Sequence, residues 1–283
     1  MSQKTPIQLE KYRPFLKWAG GKFRLTETIN KTLPKGKNCL IEPFVGAGAV
    51  FLNSHFERYV LFDINPDLIG LFNIVKTDVD NYIQAARALF EHVDANTEYF
   101  YYVQRTTFNA STNPFERAVL FLYLNRFGYN GLCRYNLKGE FNVPFGRFKK
   151  NYFPEKELRQ FAEKAQRAEF ICGDFQDAFQ YADESSVIYC DPPYAPLEQA
   201  SNFTGYAGNV FDLEKQALLA TLAKDTAYLK SIPVIISNHD TPFTREIYKG
   251  AKIKSLKVQR FISRSSTTRL KVKELIAIFK TCS

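Results

Sequence analysis

The sequence predicts an α/β fold: a mostly parallel, Rossmann-like sheet interrupted by a mainly helical insertion that carries a β-hairpin. Three observations lead there. Short apolar, β-branched runs of strand length recur near both ends of the chain. The first of them runs into a glycine turn and a helix. The stretch between the strand-bearing ends switches to helical spacing. With 283 residues, 45% hydrophobic and 24% charged, the chain can bury a substantial core as one large domain or two modest ones.

In chain order, Cys39 to Val50 reads strand, glycine turn, helix. Gly46 and Gly48, beside the small Ala47 and Ala49, let a backbone approach a ligand closely. Tyr59 to Phe62 is a second strand ending at Asp63. From Asp67 the pattern is helical, with Leu68, Leu71, Phe72 and Val75 and then Ile83, Ala86, Leu89 and Phe90 on apolar faces. Asn113 and Pro114 open another helix as N-cap and first residue, and it ends by Gly128. Turn residues at Asn130-Gly131 and Lys138-Gly139, with aromatics between, predict a β-hairpin over 129–148. An amphipathic segment, Leu158 to Ala168, leads back to a strand at Phe170 to Cys172. Further strands follow at Val187 to Cys190, Pro233 to Ser237 and Arg269 to Lys280, with a polar loop at 195–210 and a helix from Leu213 to Leu229. The expected division is a discontinuous sheet-bearing unit, 1–63 with 154–283, and an inserted helical unit, 64–153.

Composition narrows the function. No run approaches about 18 uncharged apolar residues, so no membrane span is expected. The N-terminus, with Lys4, Glu10, Lys11 and Arg13, lacks a signal-peptide core, and a cytoplasmic location is expected. The five cysteines are widely spaced without a C-x-x-C, which argues against a disulfide framework and a zinc site. A net charge of +9 points to a polyanionic partner. Lys249 to Lys273 holds nine Lys or Arg and no acid. Pro114 to Lys150 holds seven against two acids, interleaved with aromatics that suit combined phosphate and base contacts.

The chemistry gathers at Asp191-Pro192-Pro193-Tyr194, at the carboxyl end of the 187–190 strand. In an open α/β sheet that edge is where ligands bind. A nucleobase's exocyclic amine is a poor nucleophile because its lone pair is delocalised into the ring. Asp191 and the Pro192 carbonyl can each accept one N–H and turn that lone pair outward, while Tyr194 stacks on the base. A tight turn is the plain alternative for these four residues. Asp63, at the end of the second strand, is placed to hydrogen-bond both ribose hydroxyls of an adenosyl group. Arg134 can read guanine O6 and N7 in a bidentate way.

These motifs, together with Phe15 to Lys22, Glu42 to Gly48, Leu124 to Asn136 and Glu140 to Arg147, resemble the DNA adenine-N6 methyltransferases, most closely the bacterial DNA adenine methylase group. Their order matches too, over nearly the whole chain. The resemblance implies a Rossmann-like S-adenosylmethionine-dependent methyltransferase with no metal, acting on double-stranded DNA as a monomer or weak dimer. It implies a donor pocket formed by Trp18, Lys22, Gly46, Gly48, Asp63 and Asp191, with Asp191, Pro192 and Tyr194 catalytic. The adenine would be flipped from the duplex, and the implied site is GATC. Tyr129, Asn130, Leu132, Arg134 and Pro144 match positions at or near the DNA interface. The rival readings are a cytosine-N4 methyltransferase, which more often carries serine at the position of Asp191, and a non-catalytic DNA-binding protein on a decayed scaffold.

Overall fold

The computed structural model describes residues 11–150, 152–196, 211–259 and 271–280. After a 3-10 turn at Lys22–Leu25 and a short α1 (Thr26–Asn30) come β1 (Cys39–Glu42), α2 (Ala49–Asn53) and β2 (Arg58–Asp63). Four helices follow: α3 (Pro66–Thr77), α4 (Val79–Phe90), α5 (Glu98–Ala110) and α6 (Pro114–Phe127). The chain then returns through α7 (Glu155–Ala165), β3 (Ala168–Cys172), α8 (Phe175–Ala178) and β4 (Ser186–Cys190). It closes with α9 (Leu213–Leu229), β5 (Val234–His239), α10 (Pro242–Ile247), β6 (Lys252–Gln259) and β7 (Lys271–Phe279).

The seven strands form one sheet in the order β3-β2-β1-β4-β5-β7-β6. β1 to β5 are parallel and β7 runs antiparallel to both β5 and β6. The Rossmann-like expectation therefore holds, with an antiparallel β5-β7-β6 edge. The order reverses direction between β1 and β4, where the crossovers leave a crevice at the carboxyl ends. Central strands are buried on both faces, as in β1 and β4, which explains why they read as continuous apolar runs.

One apolar cluster fills the face towards α3, α7 and the inserted helices, where Phe15, Phe51, Phe72, Phe161 and Phe170 interlock. A second lies on the opposite face beneath α9 and Tyr248. Helix α3 packs on both β3 and α6, so it ties the sheet to the inserted helices. Asn113 caps α6 through Phe115 and Glu116 N–H, with Pro114 in the first turn, as the sequence predicts. Among the described residues no helix is long and apolar enough to cross a membrane.

Two expectations change. The hairpin over 129–148 is not a ladder: it retains only isolated antiparallel bridges, Gly128 with Phe145 and Tyr135 with Phe141. Backbone bonds still join its two arms, from Tyr129 N–H to Pro144 O, Asn136 N–H to Glu140 O and Asn142 N–H to Arg134 O, while side chains of α5 hold the groups that face away from the other arm. Asn109 bonds both N–H and C=O of Phe141, and Tyr101 and Arg105 donate to Val143 O. The turns survive, since Asn130 and Gly131 have φ of +54° and +62°, and Gly139 has +76°. The other change lies in the basic stretch after Lys249, whose first part is the edge strand β6. Lys252 and Lys254 are exposed there, which also shields a sheet edge from pairing with another chain. Most of the predicted polar loop, 197–210, and the basic residues 260–270 lie outside the described residues.

Candidate active site

A cavity of about 1010 Å³ opens at the switch point between β1 and β4. Its floor carries one acid from each of three strand ends: Glu42 from β1, Asp63 from β2 and Asp191 just beyond β4. Asp63 accepts N–H from Gly46 at 3.1 Å and from Asn65 at 3.0 Å. Burial pushes its carboxyl up, and those N–H groups partly oppose the shift. Glu42 is 2% exposed, and among the described residues its Oε1 has no hydrogen-bond partner. Burial, reinforced by the nearby Asp191 charge, raises its pKa well above the carboxylate range.

Trp18 stands against the glycine turn. A Cβ on Gly46 (φ +49°) would meet the indole Nε1 at 2.9 Å, so only glycine lets ring and turn touch without displacement. Gly48 behaves differently. Its φ of +73° starts α2, but it faces Phe51 and Phe161 rather than the cavity. Phe44, Phe175 and Phe211 form an aromatic slot in the wall, with Phe44 and Phe175 stacked 5.5 Å apart at 20°. Gly173 and Asp174 border this slot. Reading the sequence missed the slot, Asp174 and Glu42. The Gly173-Asp174-Phe175 run directly after a strand was the available signal.

Asp191 meets Lys22. The Nζ lies 2.9 Å from Asp191 Oδ1, donates to Gly20 O at 2.8 Å and sits 4.5 Å from the Tyr194 ring centroid. Lys22 is only 5% exposed, so this cation belongs to the cavity and not to an outer phosphate-binding face. Tyr194 OH donates to the buried Glu274 Oε2 at 3.1 Å, and its ring meets His239 edge-on at 4.8 Å. Behind them Asn238 accepts Ala195 N–H and donates to Gln216 and Tyr248, while Gln216 donates to Pro193 O. The Asp191–Ala195 turn is thus fixed from β5 and α9. Pro192 is buried, and it is Pro193 that faces the cavity.

The structure therefore brings Trp18, Lys22, Gly46, Asp63, Asp191 and Tyr194 to one cavity and sets Gly48 and Pro192 just behind it. Tyr129, Asn130, Leu132, Arg134 and Pro144 stand together on the segment after α6, with Asn130, Arg134 and Pro144 exposed. That segment abuts the N-terminal motif. Asn125 exchanges hydrogen bonds with the Lys17 backbone and donates to Gly131 O, and Lys17 Nζ lies 3.7 Å from the Phe148 ring centroid. Burial, with help from Arg126, lowers the Lys17 pKa to about 8. Arg126, from α6, also lines the cavity, so the cavity borders the helix that leads into the 129–148 segment.

An acid at each of three strand ends, an aromatic slot and an Asp-Pro-Pro-Tyr turn thus form one set at the cavity. The chain is 68% identical over 269 residues to the DNA adenine methylase of Haemophilus influenzae, covering 95% of this chain and 94% of that one. It is 60% identical over 272 residues to the DNA adenine methylase of Escherichia coli K12, covering 96% and 97%. The Vibrio cholerae DNA adenine methylase is 55% identical over 271 residues, again at 96% and 97% coverage. Residues 18–262 match the sequence profile of the D12 class of N6 adenine-specific DNA methyltransferases. The chain belongs to the D12 class N6 adenine-specific DNA methyltransferase family and is an adenine-specific DNA methyltransferase.

Proposed function

We propose that the chain transfers a methyl group from S-adenosylmethionine to N6 of an adenine flipped out of double-stranded DNA, within GATC. The observation that carries this reading is the position of Lys22 Nζ. A nitrogen donor already sits 2.9 Å from Asp191 Oδ1 and over the Tyr194 ring, the arrangement required of an amine held by the carboxylate and stacked on the phenol.

The cavity residues fit the methyl donor. Asp63 would take the ribose hydroxyls, the Phe44, Phe175 and Phe211 slot would take the adenine, and Glu42 Oε1 would receive the ammonium group. Trp18 offers a ring face to a sulfonium cation. When bound, the donor supplies an electrophilic methyl group. Asp191 and the Pro192 carbonyl then accept the two N6 hydrogens and aim the lone pair. Methyl transfer would break the S–CH3 bond and leave a neutral thioether, and the N6 cation would give one N–H proton to Asp191 or to water; closeness and preorganised charge supply the rate. Tyr129, Asn130, Leu132, Arg134 and Pro144 would read the site, with Arg134 on a guanine. On this reading 64–153 is the target-recognition unit, 1–63 with 154–283 the catalytic one, and the protein works in the cytoplasm as a monomer or weak dimer on DNA.

Expression in an unmethylated host followed by mapping of modified bases tests the proposal. N6-methyladenine confined to GATC is expected; N4-methylcytosine, or adenine methylation without that context, would overturn it. Asp191→Ala should abolish transfer while duplex binding stays within about threefold of the unsubstituted chain, since that carboxylate is not a phosphate contact.

A further inference from the structure

The short turn after β2 holds more than the donor pocket. Asn65 donates its backbone N–H to Asp63 and its Nδ2 to Cys133 Sγ at 3.2 Å. Two residues on, Asp67 accepts the Tyr135 hydroxyl at 2.7 Å and the Arg117 guanidinium at 2.8 and 2.9 Å. Asp67 is nearly buried, with its side chain 9% exposed. Arg117 is itself fixed, donating to Phe108 O and Ser111 O and lying over the Phe108 ring.

Cys133 and Tyr135 flank Arg134. In an extended segment neighbouring side chains alternate in direction. With both neighbours tied inward to the 65–67 turn, Arg134 points outward. Its fork is then aligned by Asn142, which accepts Nε–H at 2.7 Å through Oδ1 and Nη2–H at 3.2 Å through its carbonyl. The Tyr135 ring also packs edge-on against Phe141, whose backbone α5 holds.

We propose that Asp67, acting through Tyr135, is a positioning residue for base reading by Arg134, mounted on the same turn that carries the ribose-binding Asp63. The inference rests on the reading of Arg134 as a base contact. A bidentate contact to a base edge discriminates only while the guanidinium plane is held, so a loosened Tyr135 would cost discrimination before it costs affinity.

Tyr135→Phe deletes the hydroxyl and keeps the ring. The experiment compares kcat/KM on a duplex carrying the cognate site with that on a duplex altered at the base pair where Arg134→Ala loses discrimination. Tyr135→Phe should lower the ratio about three- to tenfold, the scale of one aligning hydrogen bond, with donor KM unmoved. The double variant Tyr135→Phe/Arg134→Ala should discriminate no worse than Arg134→Ala alone, because Tyr135 acts through the arginine. Cys133→Ala, which releases the other neighbour from Asn65, should move discrimination in the same direction. Equal rate loss on both duplexes, or a Tyr135→Phe effect that adds in full to Arg134→Ala, would overturn the inference. A sequence-specific unsubstituted enzyme with an unaffected Tyr135→Phe variant sinks this inference alone; an unsubstituted enzyme without base-specific transfer sinks the reading beneath it as well.

Discussion

Trp18 is the only tryptophan in the chain and it lines the cavity, so its fluorescence reports on the proposed donor site with no background from elsewhere. Gly46→Ala perturbs that site in two separable ways. An alanine at φ +49° pays about 1–2 kcal/mol for the left-handed backbone. Its Cβ, 2.9 Å from Trp18 Nε1, also forces the indole aside, at about 0.5–1.5 kcal/mol if the ring leaves its rotamer well. The first cost falls on stability alone. The second falls on donor binding as well, because the displaced indole narrows the cavity. Gly46→Ala should therefore lose about 2–3 kcal/mol in urea unfolding and bind S-adenosylhomocysteine about three- to tenfold more weakly by tryptophan quenching. Gly48→Ala is the control. Its φ is +73°, but the nearest atom to an added Cβ is Phe51 Cδ1 at 3.4 Å and the residue does not face the cavity. It should lose stability and keep its donor affinity. If both variants lose affinity equally, or Gly46→Ala binds with unchanged affinity and quench, Trp18 is not a wall of the donor site.

Other residues give further tests. Glu42→Gln removes a buried carboxyl that sits close to Asp191. It should raise stability by about 1 kcal/mol at neutral pH, read as a Tm gain of about 2–4 °C, while weakening S-adenosylhomocysteine about tenfold by calorimetry, because an amide cannot ionise to meet the incoming ammonium as the carboxyl can; unchanged affinity would remove Glu42 from the donor site. Lys164 is 9% exposed and donates to Leu52 O and Ser54 O, and burial lowers its pKa from 10.5 to about 8. The folded chain thus sheds this proton while the unfolded chain still holds it, so stability rises with pH between those values. From about pH 7.5 to about pH 9.5 this group contributes about 2 kcal/mol, and Lys164→Met should remove that share of the rise in urea titrations at the two pH values, leaving the share of Lys17, whose pKa is lowered to the same value. An equal increment in Lys164→Met would place the titration on another group.

Where local chemistry decides structure, the sequence was legible. α9, Leu213–Leu229, starts where the Asp212 side chain caps Lys215 N–H, and Asn113-Pro114 starts α6 in the same way, because cap and first-turn residues act within three positions. Buried parallel strands announce themselves as β-branched runs. Where distant residues substitute for local partners, it was not. The 129–148 segment has hairpin turns and a few backbone bonds between its arms, yet α5 side chains hold its outward groups at Phe141 and Val143, and no local pattern encodes Asn109 bonding Phe141. β6 was hidden because lysines on an edge strand read as a basic patch. Motif order placed Asp63, Asp191 and Trp18 in one pocket, but the Lys22–Asp191 pair and the three-phenylalanine slot arise from tertiary packing alone.

The Lys22–Asp191 pair also explains how a carboxylate can wait in a half-closed cavity. Asp191 lies near the buried Glu42 carboxyl, and two close acids in a low dielectric drive one another towards the neutral form. Lys22, with its side chain 6% exposed, supplies a counter-charge at 2.9 Å that favours the ionised Asp191 needed to accept an N–H. On the proposed reading this ammonium and the flipped adenine compete for the same acceptor and the same ring face. Entry of the base exchanges a charged donor for a neutral one. Positive charge develops on N6 only later, as the methyl group and the donor's charge are transferred to it. On that reading a cation left beside N6 would oppose the charge developing there, so the exchange of lysine for base works in the direction of transfer.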